Sequence, residues 1–226
     1  MHANARARPA ADRRRACRAR EPNRVAVASS YFDSHGQPGY WADVTRHFAA
    51  DTVLLDVGCG IGWLADHFLS YTGIELSPEA VAIARRHGRN VVEGDVAGGL
   101  PFAESSFDGV VLKDVLEHVA DPMAIVREVR RVLRPGGRVF ASAPDAQRWV
   151  WNDYTHKRPF TTRAMRNLFA DHGFEVEQVG YESLAHGMSQ IAARTKDHRR
   201  PRVFSLLVWL PFHRRNVWIL ARRPRA

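Results

Sequence analysis

Cysteine is nearly missing from this chain: among 226 residues only Cys17 and Cys59 carry a thiol. One stands in an arginine-rich stretch and the other between glycines. That arrangement excludes a disulfide framework and a thiolate metal centre, and it suits a reducing cytoplasm. Long apolar runs are missing too. The most apolar stretch, 203–212, is about half the roughly 20 residues that a membrane-spanning helix takes. Residues 1–25 are rich in Ala and Arg but have no apolar h-region, so they do not read as a secretory signal; they are expected to be a disordered basic tail. No internal repeat is visible. No two histidines stand at metal-ligand spacing, so the sequence itself requires no metal.

Charge is unevenly placed. Residues 1–25 carry +6 and residues 194–226 carry +9, whereas 26–193 carry −6. The alkaline isoelectric point therefore belongs to the ends. A nucleic-acid enzyme is expected to present a basic face on the fold itself, so this distribution argues against RNA or DNA as substrate. Within the basic C-terminal segment, the apolar stretch 203–212 is flanked by Arg199, Arg200 and Arg202 and by Arg214 and Arg215. Two readings fit it: a helix packed on the domain before the last strand, or an interfacial segment with arginines at lipid headgroups.

The informative part of the chain is the order of its strand ends. Val53-Leu54-Leu55-Asp56 reads as a short strand ending in a carboxylate, followed by Gly58, Gly60 and Gly62 at alternate positions. Such a turn lets a ligand approach the backbone, and residues 63–68 then read as a helix whose free N–H groups face an anionic group. The dinucleotide pattern Gly-x-Gly-x-x-Gly needs its third glycine one position later, which argues against a nicotinamide enzyme. A second strand ends at Glu75, followed by Ser77 and Pro78 as N-cap and first helical residue. A carboxylate there suits a ribose diol. A third strand, read over 91–96, ends in an acid, Asp95, suited to an exocyclic amine. A fourth runs through Phe107 to Lys113 and Asp114, ahead of Leu116-Glu117-His118-Val119. A helix over 122–133, a turn at Arg134-Pro135-Gly136-Gly137 and a strand over 139–143 follow.

Asp-x-Gly-x-Gly-x-Gly, Gly-Ile-Glu-Leu-Ser, Glu-Gly-Asp-Val, Leu-Glu-His-Val and Arg-Pro-Gly-Gly, in that order, resemble the class I methyltransferases that use S-adenosylmethionine, in the subgroup known as type 11. The resemblance covers about residues 31–222. It implies a Rossmann-like α/β fold, with a seven-stranded sheet, mostly parallel with an antiparallel last strand, and helices on both faces. It implies that Asp56, Gly58, Cys59, Gly60 and Gly62 cradle the methionine part of the cofactor, with Glu75 and Leu76 at the ribose and Asp95 and Val96 at the adenine. Lys113 or Asp114 would line the pocket floor, and Tyr31, or equally Tyr40, from a segment folding over the cofactor, would meet its carboxylate. The domain is expected over 26–226. A helix over 162–172 closed by Gly173, and strands over 175–181 and 216–222, complete the sheet.

The acceptor side is a dense aromatic and ionisable run, Trp149 to Thr161, within a substrate lid at about 145–161. Its Asp-x-Thr-His-x-Arg-Pro-Phe element is similar to that of family members from bacterial glycan and cell-envelope pathways. This implies O-methylation of a hydroxyl on a saccharide or glycolipid, with His156 as base and Asp153 orienting it. His118 reads as a structural residue at the pocket rim, and Lys113 has Glu117 as an alternative partner. Methylation of a quinone or another small natural product is the second reading, and a cofactor-binding module without turnover is the third.

Overall fold

The computed structural model describes residues 41–183 and 214–225. The expected basic tail, Tyr31, Tyr40 and the apolar stretch 203–212 lie outside the described residues. Seven strands form one sheet: β1 (Val53–Val57), β2 (Ser70–Glu75), β3 (Val91–Glu93), β4 (Phe107–Lys113), β5 (Leu133–Pro144), β6 (Glu175–Ser183) and β7 (Arg214–Arg222), in the spatial order β3-β2-β1-β4-β5-β7-β6. β1 to β5 are parallel, and β7 runs antiparallel between β5 and β6. This is the expected Rossmann-like sheet.

Both faces of the sheet are covered, and side-chain alternation along the central strands decides which residue serves which face. Leu55, Val110, Leu112, Val139 and Ile219 point to one core, shared with Ile125, Val126 and Val129 of α3 (Pro122–Val132) and Met165 and Phe169 of α4 (Thr162–Ala170). Leu54, Val111, Phe140 and Leu220 point to the opposite core, shared with Val44 of α1 (Ala42–Thr45), Leu64 and Phe68. Shifting any of these strands by one residue would exchange the two cores, so the register is strongly fixed.

The helix starts are set by side-chain caps that the sequence makes legible. Ser77 Oγ accepts from Ala80 N at the start of α2 (Pro78–Arg86), Asp121 Oδ1 from Ala124 N at α3, and Thr161 Oγ1 from Ala164 N at α4. Each cap satisfies one of the donors that a helix N-terminus leaves unpaired.

Two local expectations need correction. The helix anticipated after the glycine turn is only a five-residue 3₁₀ segment, Trp63–His67. β2 begins at Ser70, which leaves too little chain for a longer helix. Residues 134–137, expected as a turn before the strand, lie within β5, where the pairing with β4 shifts register between Phe107 and Gly109. Gly136 has a positive φ there, and a Cβ on Gly137 would come within 2.9 Å of the Arg134 carbonyl oxygen.

Candidate active site

The carboxyl ends of parallel strands are where ligands sit in sheets of this kind, and the expected cofactor residues gather there. Gly58, Gly60 and Gly62 all have φ between 56° and 75°, a left-handed run that other residues adopt at a cost. Gly58 also lies so close to Val115 that an added Cβ would meet its Cγ2 at 2.6 Å. Glu75, at the tip of β2, accepts from Gly60 N at 2.9 Å through Oε2 and from Ser77 N at 2.8 Å through Oε1. The acid is thereby held rigidly against the turn, while each oxygen keeps a second lone pair for a ligand hydroxyl.

Asp95 follows β3. Its Oδ1 accepts from Ala97 N and caps a short 3₁₀ segment, Val96–Gly98. Leu76, beside Glu75, is an exposed apolar side chain on this same rim. A fixed carboxylate, an exposed leucine and a second carboxylate on neighbouring strand tips give the acceptors and apolar surface that a ribose joined to a flat purine requires. The residues present therefore fit an adenosyl cofactor.

Asp56 stands differently from expectation. It is buried, 1% exposed, beneath the turn, and its Oδ2 accepts from the Tyr71 hydroxyl at 2.9 Å. Burial pushes the Asp56 carboxyl up to about 7, against the Tyr71 hydrogen bond, and the nearby Glu75 adds to the rise. Cys59 fills tight space: its Sγ would lie 2.5 Å from a Cβ on Gly73. Burial raises its thiol well above the usual range, so it is held as an inert thiol.

Lys113 is also reassigned. Its Nζ pairs with Glu182 on β6 at 3.0 Å, both side chains largely buried. Among the described residues neither Glu117 oxygen has a hydrogen-bond partner, so the expected alternative pairing of Lys113 with Glu117 is not formed. The neighbouring Asp114 adopts a φ of 57° and accepts from Asn216 Nδ2 at 3.0 Å. Its burial raises its pKa, opposed by Lys113.

On the acceptor side the turn after β4 meets the segment after β5. Lys157 N donates to the Glu117 carbonyl at 2.7 Å, which brings His156 beside His118 with ring centroids 4.8 Å apart. His156 Nδ1 lies 2.8 Å from the Val150 carbonyl oxygen, so this nitrogen carries the proton and Nε2 is left with a free lone pair. The orienting contact on His156 thus comes from Val150. Asp153, expected in that role, lies 3.7 Å from His156 Nε2 and spends its Oδ1 on the hydroxyl and N–H of Thr155. Those two bonds hold the Asp153 carboxyl below its ordinary range.

Glu117 was not singled out as a functional residue in the sequence. It is 0% exposed, both its oxygens lack a hydrogen-bond partner among the described residues, and burial, followed by repulsion from Asp114, raises its pKa strongly. Above this cluster, Trp149, Trp151 and Tyr154 are exposed. Arg158 Nη2 donates to the Ala120 carbonyl at 2.7 Å and ties the segment down.

Comparison with known proteins agrees with this geometry. Residues 55–141 match the family described as a methyltransferase domain. Residues 55–141, under half of the chain, are thus similar to a methyltransferase domain of type 11, a family whose cofactor is S-adenosylmethionine. Among individual proteins, a ubiquinone biosynthesis O-methyltransferase from Xanthomonas oryzae is 41% identical over 99 residues, which are 39% of this chain and 41% of that protein. The chain therefore spans less than half the length of this relative. An S-adenosylmethionine-dependent methyltransferase from Mesorhizobium loti aligns with a TM-score of 0.63 at 22% identity, covering 82% of this chain and 98% of the other. The [4+2]-cyclase SpnF aligns with a TM-score of 0.61 at 23% identity, covering 83% of this chain and 82% of the other. At such identities the solved structures speak to the fold alone.

Proposed function

We propose that this chain transfers a methyl group from S-adenosylmethionine to a hydroxyl of a small molecule, with a quinone-type aromatic hydroxyl as the acceptor class. The observation that carries the transfer is the rim formed by the glycine turn, Glu75, Leu76 and Asp95 inside the segment that matches a methyltransferase domain. The acceptor class rests on the relatives named for ubiquinone biosynthesis and on exposed Trp149 and Trp151, which suit a flat ring. A saccharide hydroxyl is the second reading, because the same aromatic faces suit the apolar side of a sugar.

When bound, S-adenosylmethionine supplies a methyl group already activated by the positive sulfur. The chain's own task is positional: Glu75 holds the ribose, the 58–62 backbone holds the amino-acid portion, and Asp95 with Val96 flanks the purine. The acceptor oxygen then needs to lie in line about 3 Å from the methyl carbon. As the carbon–oxygen bond forms and the carbon–sulfur bond breaks, the acceptor proton leaves at the cluster of His156, His118 and Glu117. Proton removal of this kind is worth about 10²–10⁴-fold.

The test is incubation of the full chain with methyl-labelled S-adenosylmethionine and two acceptor panels, catechols and hydroquinones against hexoses and glycolipids. Label on the aromatic panel alone supports the quinone reading, and label on the glycans alone replaces it with the saccharide one. Cofactor affinity with no label on either panel favours a binding module without turnover.

A further inference from the structure

We infer that Arg89 is a positioning residue for the amino-acid portion of the cofactor, holding the 58–62 turn in shape where the segment after the turn is too short to do so. This role rests on the S-adenosylmethionine reading of the rim.

The turn needs an outside support. Gly58, Gly60 and Gly62 all lie in the left-handed region, and glycine loses more backbone freedom on ordering than any other residue. A full helix after the turn would fix it. Trp63–His67 is instead a five-residue 3₁₀ segment whose N-cap, Gly62, offers no side-chain cap. Segments of this kind have poor hydrogen-bond geometry and little stability of their own.

Arg89 reaches the turn from the end of α2. Gly88 has a φ of 72° and closes that helix, with Gly88 N donating to the Arg85 carbonyl and Arg89 N to the Ala84 carbonyl. These are the paired bonds of a helix ended by a left-handed glycine, and they fix where the next side chain starts. The Arg89 side chain is 8% exposed and runs against the turn. A Cβ on Gly62 would meet its Cδ at 3.3 Å. Nη1 donates to the Ile61 carbonyl at 2.9 Å and Nη2 to Asp66 Oδ2 at 2.9 Å. The guanidinium also lies over the Trp63 ring, 4.5 Å from its centroid. One planar group therefore joins the turn to both ends of the segment that follows it.

Stability alone does not account for this placement. The Asp66 side chain is 56% exposed, so its ion pair with Arg89 contributes little. Arg89 Nε is buried with no hydrogen-bond partner among the described residues, which is a cost. What the buried cation does gain is a charge-assisted bond to a carbonyl of the turn. That bond fixes the peptide plane between Ile61 and Gly62, and with it the shape of the backbone that meets the ligand.

The test is calorimetry on the full chain with two ligands that differ at the methionine end. S-adenosylhomocysteine carries the ammonium and carboxylate, whereas methylthioadenosine has a methyl group in place of the amino-acid chain. Both keep the ribose for Glu75 and the purine for Asp95. Arg89→Met keeps an unbranched stem and loses the fork. It is expected to lower S-adenosylhomocysteine affinity about tenfold, while methylthioadenosine affinity stays within about twofold of wild type. Arg89→Lys, charged but without the planar fork, recovers only part of the loss. Equal losses for the two ligands in a folded Arg89→Met would reduce Arg89 to general support of the fold and overturn the role. No loss for either ligand overturns it as well. If Arg89→Met does not fold, Arg89→Lys is read by the same ratio of affinities. A wild-type chain that binds neither ligand overturns the cofactor reading itself, an outcome distinct from binding that is indifferent to Arg89.

Discussion

The hydroxyl of Tyr71 on β2 donates to Oδ2 of Asp56 on the neighbouring β1, 2.9 Å away, in a space that excludes water from the carboxylate. The pair sits beneath the glycine turn, so the charge state of Asp56 bears on the stability of the strand that supports the cofactor rim. The carboxyl rises from 3.8 to about 7 on folding, chiefly through burial. The folded chain thus retains a proton that the unfolded chain has released, and stability present below about pH 4 is lost as pH climbs through 7. At about 1.4 kcal/mol per pH unit, the loss amounts to roughly 4 kcal/mol. Asp56→Asn, whose amide oxygen still accepts from Tyr71, should gain on the wild type in thermal midpoint between pH 5 and pH 8. Parallel midpoint curves for the two proteins would contradict the assignment.

Glu75 offers a cleaner reading of cofactor binding, because its two backbone hydrogen bonds fix it before any ligand arrives. Hydrogen bonds to a charged acceptor contribute about 1.5–3 kcal/mol each. Glu75→Gln retains the shape and loses one acceptor oxygen, so affinity for S-adenosylmethionine should fall about tenfold to a hundredfold. Calorimetry measures this, with the thermal midpoint as the control for disturbance of the turn. Unchanged affinity would remove Glu75 from the ribose.

The sheet and its tips were legible in the sequence because they rest on short-range signals. Ser77-Pro78 and Asp121-Pro122 announce helices by capping chemistry, and glycines with positive φ mark the turn after β1. What could not be read depends on which strands become neighbours. Lys113 was placed in the cofactor pocket because β4 ends there, but its partner Glu182 arrives on β6, far along the chain. His118 and His156 show no ligand spacing, and only the meeting of the loops after β4 and β5 brings them together. The signal that was available was Glu117, an acid with apolar Val115, Leu116 and Val119 close by in the sequence.

Lys113 and Glu182 give a test of that reassignment. Removing one partner of a buried ion pair costs about 3–5 kcal/mol because it strands the other charge. Lys113→Met should destabilise the chain by about 3 kcal/mol in urea unfolding while leaving cofactor affinity within a few-fold. Adding Glu182→Gln should recover part of the loss, as expected for contacting residues. A large drop in cofactor affinity without destabilisation would return Lys113 to the pocket.

His156 bears most directly on turnover. Its Nδ1 is committed to the Val150 carbonyl oxygen, and its Nε2 faces the space shared with His118 and Glu117. Where that nitrogen takes the acceptor proton, the step is lost when the ring is removed. His156→Ala should therefore lower kcat by about 10²–10⁴-fold, with S-adenosylmethionine affinity unchanged because none of the rim residues is touched. A rate within a few-fold of wild type in His156→Ala would exclude that role, and would move the chemistry away from the segment after β5.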